Sequence, residues 1–160
     1  MLILSRPMVG AWICVAATAS GQPRHDFATL DVCEMVPAAV VARAVNGRVQ
    51  TTRRFNDKEF GRCTYVAVLP GSEEPHGCVL WVQAASDFEE LRKVTSASVT
   101  DIAGLGDAAY IFRDEDGRFK VDVVKKNDLM FQATADTADG ARKVAEAVAA
   151  HLWSKTPQHP

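Results

Sequence analysis

From Asp26 onward, apolar and polar residues alternate in short runs interrupted by glycine, proline and asparagine. Alternation with a period of two predicts strands, and apolar residues three or four apart predict helices. Asp31-Val32-Cys33-Glu34-Met35 reads as one helical turn. Pro37 is predicted as the first residue of a helix with Val40, Val41, Ala44 and Val45 on one side, ended by Asn46-Gly47. Arg48 to Phe55 alternates weakly and is predicted as an edge strand, whose Arg53-Arg54 pair guards against aggregation or forms a binding patch. Arg62 to Leu69 and Cys78 to Ala84 form a hairpin across a loop running from Pro70 to Gly77.

Ser86-Asp87-Phe88-Glu89 has the capping-box pattern ahead of a helix through Leu91 and Val94. A run at Ser98 to Ile102 leads through Gly104-Leu105-Gly106-Asp107 into a second hairpin around Asp116-Gly117, in which Phe119, Val121 and Val123 alternate with Lys120, Asp122 and Val124. Asn127-Asp128 turns the chain into Leu129 to Thr134. The last helix starts near Thr137 and carries Val144, Val148 and Leu152 beside Ala141, Ala145 and Ala149. These elements predict an α+β domain over residues 29–153, with one antiparallel sheet of about five to seven strands and helices packed on it. A polar tail follows over 154–160.

The front of the chain follows a different pattern. Arg6 precedes an apolar stretch from Val9 to Ala17, and Ala17-Thr18-Ala19 matches a cleavage site, so residues 1–19 are predicted to be a signal peptide and 20–28 a flexible leader. A buried first helix is the competing reading. The stretch is under half the length of a membrane-spanning helix, so no permanent span is expected. Lipid anchoring at Cys14 is disfavoured because Trp12 and Ile13 stand where a lipobox has small residues.

Across 160 residues the composition is 48% hydrophobic and 24% charged, with a net charge of −2. That excludes collagen-like, coiled-coil and wholly disordered classes, and leaves no basic excess to draw the chain onto nucleic acid. Processing would leave Cys33, Cys63 and Cys78, of which two pair in an oxidising compartment. Closing the loop from Cys33 to Cys63 is worth about 3.5–4 kcal/mol and from Cys63 to Cys78 about 3, so chain entropy leaves both pairings open. The cysteines and His25, His76, His151 and His159 lack metal-ligand spacing, and no metal or cofactor is expected. Cys78 sits in a strand, where a cysteine is most often a small buried hydrophobe.

No serine lies in a Gly-x-Ser-x-Gly elbow, and no catalytic residue is identified. The carboxylate pairs Glu73-Glu74, Glu89-Glu90 and Asp114 to Asp116 read as solvated turns and helix starts. Gly104-Leu105-Gly106-Asp107 precedes a strand instead of opening a helix, so it does not fit a phosphate loop. It is predicted to be a structural turn whose glycines take positive φ and whose aspartate bonds the turn's own backbone.

Asp31-Val32-Cys33-Glu34-Met35 with Pro37, Arg62-Cys63-Thr64-Tyr65, and Gly104-Leu105-Gly106-Asp107-Ala108-Ala109-Tyr110 occur in that order, ahead of strands and an alanine-rich terminal helix. In this, residues 29–153 resemble the bacterial secreted and lipoprotein family named domain of unknown function 3558. The resemblance implies an exported α+β domain similar in fold to the photosystem II protein PsbP, and a disulfide between Cys33 and Cys63. It implies no activity. The expected function is therefore noncatalytic, in the cell envelope or secreted fraction, with a small apolar ligand, a lipid or an envelope protein as partner. That expectation also draws on the apolar side chains of the predicted sheet, among them Trp81, Phe112, Phe119 and Phe131. The alternative is a small extracytoplasmic hydrolase or thiol-dependent enzyme using His76 or Cys78.

Overall fold

The computed structural model describes residues 25–95 and 98–154. The predicted signal peptide, Cys14, most of the leader and most of the tail lie outside the described residues. Among the described residues, seven strands form one antiparallel sheet: β1 (Arg48–Asn56), β2 (Phe60–Val68), β3 (Pro75–Ala84), β4 (Thr100–Asp101), β5 (Ala108–Arg113), β6 (Phe119–Val124) and β7 (Leu129–Ala135). Their order is β1-β2-β3-β7-β6-β5-β4, so two meanders join through β3 and β7 at the centre. Four α-helices among the described residues accompany it: α1 (Val32–Met35), α2 (Ala38–Ala44), α3 (Phe88–Val94) and α4 (Ala138–Trp153). The α+β class and the single antiparallel sheet agree with the sequence pattern.

Strict alternation in β2 buries Gly61, Cys63, Tyr65 and Ala67 on one face, and Cys78, Leu80 and Val82 of β3 follow in register. This face carries α1, α2 and α4, whose Val32, Val41, Val144 and Val148 pack on Leu80, Val121, Val123 and Phe131 in the main core. The approach of α1 is so close that a Cβ at Gly61 would stand 2.7 Å from the Val32 side chain. Tyr65 is fully buried there and its hydroxyl donates to the Val36 carbonyl at 2.7 Å, satisfying the one polar atom it brings into the core. Cys33 and Cys63 form a disulfide with Cα atoms 5.2 Å apart, fastening α1 to β2. Asn56 closes the same corner, donating to the Phe27 and Leu30 carbonyls.

The opposite face is only partly covered. α3 seats Phe88 on Tyr110, Val124 and Met130, a small second cluster. One row of directly paired residues crosses all seven strands on this face: Phe55, Arg62, Trp81, Gln132, Asp122, Tyr110 and Asp101. Asp122 is 1% exposed and accepts from the Gln132 amide at 2.7 Å. Burial holds its carboxyl above the ordinary carboxylate range, and neighbouring Tyr110, Gln132 and Lys120 offset that only in part.

Local details depart from the sequence expectations. Pro37 is the N-cap of α2 and not its first helical residue, and Asn46, at φ 50°, takes the left-handed position after the helix. The capping box at Ser86 does not form. A 3-10 turn over Ala85–Asp87 precedes α3, and the Ser86 hydroxyl donates to Asp87 while accepting no backbone amide of the helix start. Gly104 and Gly106 do take positive φ, 76° and 61°. Asp107, however, accepts from the Lys126 amide at 2.7 Å, so it ties this turn to the chain beyond β6 and not to its own backbone.

Candidate functional site

One end of the helix-covered face holds a pocket of about 240 Å³. Its apolar wall comes from Ala44 of α2 and Val45 just after it, Ala67 of β2, Leu69, Cys78 of β3 and Ala135 of β7, and its rim from His76, Asp136, Thr137, Asp139 and Lys143. Small residues create the space: alanines occupy positions in α2, β2 and β7 where larger side chains would fill it. Thr137 caps α4 by accepting from the Gly140 amide at 3.1 Å, which places the first turn of that helix beside the opening.

The rim is a connected polar network. His76 Nδ1 lies 3.2 Å from Asp136 Oδ2, while Arg118 Nε donates to Asp136 Oδ1 at 3.2 Å. The Arg118 guanidinium also donates to the Gly77 carbonyl, and Lys143 pairs with Asp139 at 2.6 Å one helical turn away. The Ser72 hydroxyl stands 3.4 Å from His76 Nε2. Ser72, His76 and Asp136 thus follow one another in the order of a hydrolytic triad. The surroundings differ from such a triad in two ways. Ser72 is engaged within its own loop, donating to the Glu74 carbonyl and accepting from the Glu74 amide. Asp136 is half exposed and shares its charge with Arg118. The network fastens the β2–β3 loop to the turn between β7 and α4.

Cys78 lines the pocket from beneath with 4% exposure, and burial pushes its thiol up to about 12. A thiol held so far above neutral pH supplies almost no thiolate, which the chemistry of a thiol enzyme needs. This agrees with its reading as a small buried hydrophobe.

None of Cys33, Cys63, Gly104, Gly106 and Asp107 lines the pocket. The disulfide belongs to the packing of α1, and the glycine turn to the entry of β5. Among residues singled out from sequence, the structure brings His76 and Cys78 together. Asp136, 60 residues beyond His76 in the chain, was not legible as its partner, because only the pairing of β3 with β7 makes them neighbours. Trp81 lies on the opposite face of the sheet, whereas Phe131 is in the main core. Among the described residues no cluster of three or more potential ligands could hold a metal ion, and no helix is long and apolar enough to cross a membrane. Comparison with protein-family models, with curated proteins and with solved structures found no match to this chain.

Proposed function

We propose that this chain is an exported, noncatalytic binding domain of the cell envelope or secreted fraction that takes an apolar group of a ligand into the pocket between α2, α4 and the ends of β2, β3 and β7. The single observation that carries the reading is the pocket itself: alanine, valine, leucine and cysteine walls beneath a rim of paired charges. Its volume, about 240 Å³, is below the roughly 300–1,000 Å³ of sites that enclose a drug-sized ligand, so it suits one apolar arm of a molecule whose polar part meets the rim. Export is supported by the leader pattern before Ser20 and by the Cys33–Cys63 disulfide, a bond that persists in oxidising compartments. The resemblance to domain of unknown function 3558, with its PsbP-like fold, points the same way.

The test is titration of the folded chain with a dodecyl probe carrying an environment-sensitive fluorophore at its polar end. The expected result is saturable binding that falls about tenfold or more in Ala44→Leu, a change that fills the pocket with a good helix former and leaves the melting temperature within a few degrees of the parent. Unchanged binding in the variant would place the apolar site elsewhere.

The hydrolase alternative has one observation in its favour, the Ser72–His76–Asp136 sequence of contacts. A fluorophosphonate probe decides it: covalent labelling of Ser72 that is lost in His76→Ala supports hydrolysis, and an unlabelled chain removes it.

A further inference from the structure

We propose that Arg62 and Phe55, on the sheet face opposite α1, α2 and α4, bind a small aromatic carboxylate, the guanidinium taking the carboxylate and the phenyl ring the aromatic body. Three half-buried arginines occur among the described residues. Arg92 pairs with Asp101 at 2.7 Å and Arg118 with Asp136 at 3.2 Å. Arg62 has neither an ion pair nor a hydrogen bond with any described residue. Its Nε is buried without an acceptor, whereas its two terminal nitrogens are unpaired and reach the surface. Burying part of a guanidinium without an acceptor opposes folding, and an acceptor arriving from outside accounts for keeping it there.

The surroundings of Arg62 select the ligand. Phe55 of β1 and Trp81 of β3 stand directly opposite it on the two neighbouring strands, with ring centres 4.7 and 5.0 Å from the guanidinium carbon. Phe60 closes the group, its ring centre 5.9 Å from that of Phe55 and 4.5 Å from that of Trp81. The three rings therefore restrict the guanidinium before any ligand arrives, and a fork restricted in this way accepts a carboxylate through two parallel hydrogen bonds with little further loss of freedom. A carboxylate also matches a single guanidinium in charge and in its pair of oxygens.

Phe55 is 45% exposed, so a ring joined to that carboxylate has an apolar surface to lie on. The helix on this face, α3, seats on Tyr110, Val124 and Met130, at the side away from β1. Arg53, two residues from Phe55 on the same face, is exposed and unpaired as well, and adds to the positive potential that draws an anion there. This inference uses the face opposite the pocket and stands independently of it.

The experiment titrates the isotope-labelled full chain with 2-naphthoate and follows the Nε–Hε resonance of Arg62 and the indole resonance of Trp81. The expected result is a saturable shift of both, with affinity at least about tenfold weaker for 2-naphthamide, which lacks the charge, and for acetate, which lacks the ring. Arg62→Met keeps an unbranched side chain between the rings and removes the buried donor. It is expected to melt within a few degrees of the parent, to keep binding of the dodecyl probe, and to bind naphthoate about tenfold or more weakly. Arg62→Lys, which retains the charge without the fork, should bind with intermediate affinity and keeps the test decisive should Arg62→Met not fold. Equal affinity for naphthoate and naphthamide, or tighter binding of phenyl phosphate than of benzoate, would overturn the carboxylate site. No saturable shift at millimolar naphthoate, or parental affinity in Arg62→Met or Arg62→Lys, would overturn the proposal outright.

Discussion

Replacing Asp122 by asparagine should stabilise this protein, increasingly so as the pH rises. The carboxyl is 1% exposed on the partly covered face and accepts one hydrogen bond, from Gln132. Asparagine keeps an acceptor for that amide and removes the charge that burial opposes. The folded carboxyl titrates above its ordinary value of 3.8, so over a window beginning near that value the unfolded chain releases a proton that the folded chain retains. In the window the unfolded state binds fewer protons, and folding stability therefore falls as pH rises. The slope approaches about 1.4 kcal/mol per pH unit and levels off once the folded carboxyl also ionises. Below the window both states are protonated and this contribution is fully present. Urea unfolding of parent and Asp122→Asn at half-unit steps from pH 3.5 to pH 8 measures the difference. The two curves should be closest at the acid end and diverge in favour of asparagine above pH 4. Parallel curves, or a parent that gains on the variant with rising pH, would refute the burial argument for this carboxyl.

Gly106→Ala should lose about 2–4 kcal/mol in the same unfolding assay, since φ is 61° and the new Cβ would stand 2.6 Å from the Val124 carbonyl oxygen. Gly104→Ala, also at positive φ but with open space around it, should lose only the conformational part, about 1–2 kcal/mol. Replacing Cys33 and Cys63 together by serine should cost about 3.5–4 kcal/mol, from the loss of a cross-link spanning 30 residues. In the disulfide-bonded chain, Cys78 should react with iodoacetamide at pH 8 only at the rate of unfolding, and fast labelling of native protein would contradict its burial.

Much of the fold was legible because it rests on local chemistry. Pro70-Gly71 and Asp116-Gly117 announce hairpins through turn-forming residues, although β3 starts at Pro75, inside the predicted 70–77 loop, and β2 announces its faces through strict alternation. Helix α4 is readable from Val144 and Val148 at helical spacing and from Thr137 at its cap. The order of strands was not, because nothing in Val79 to Ala84 says that Leu129 to Thr134 will pair there. That non-local pairing brings Asp136 to His76 and shapes the pocket wall, so the site was invisible where the hairpins were plain. Asp122 misled for a related reason. In a run alternating with valines it reads as the solvated side of a strand, but α3 returns over that face and the residue is buried. Ser86 shows how local rules fail at short range: its capping pattern is present, yet the 3-10 turn begins one residue before it and its hydroxyl donates to Asp87.

The binding reading is tested most directly by photolabelling the folded chain with an alkyl diazirine and mapping the modified residues by peptide mass spectrometry. The pocket predicts saturable insertion at Ala44 to Asn46, His76 to Cys78 and Ala135 to Lys143, reduced by competing unlabelled dodecyl probe. Labels spread over the surface, or concentrated around Phe55 and Trp81 on the other face of the sheet, would contradict it.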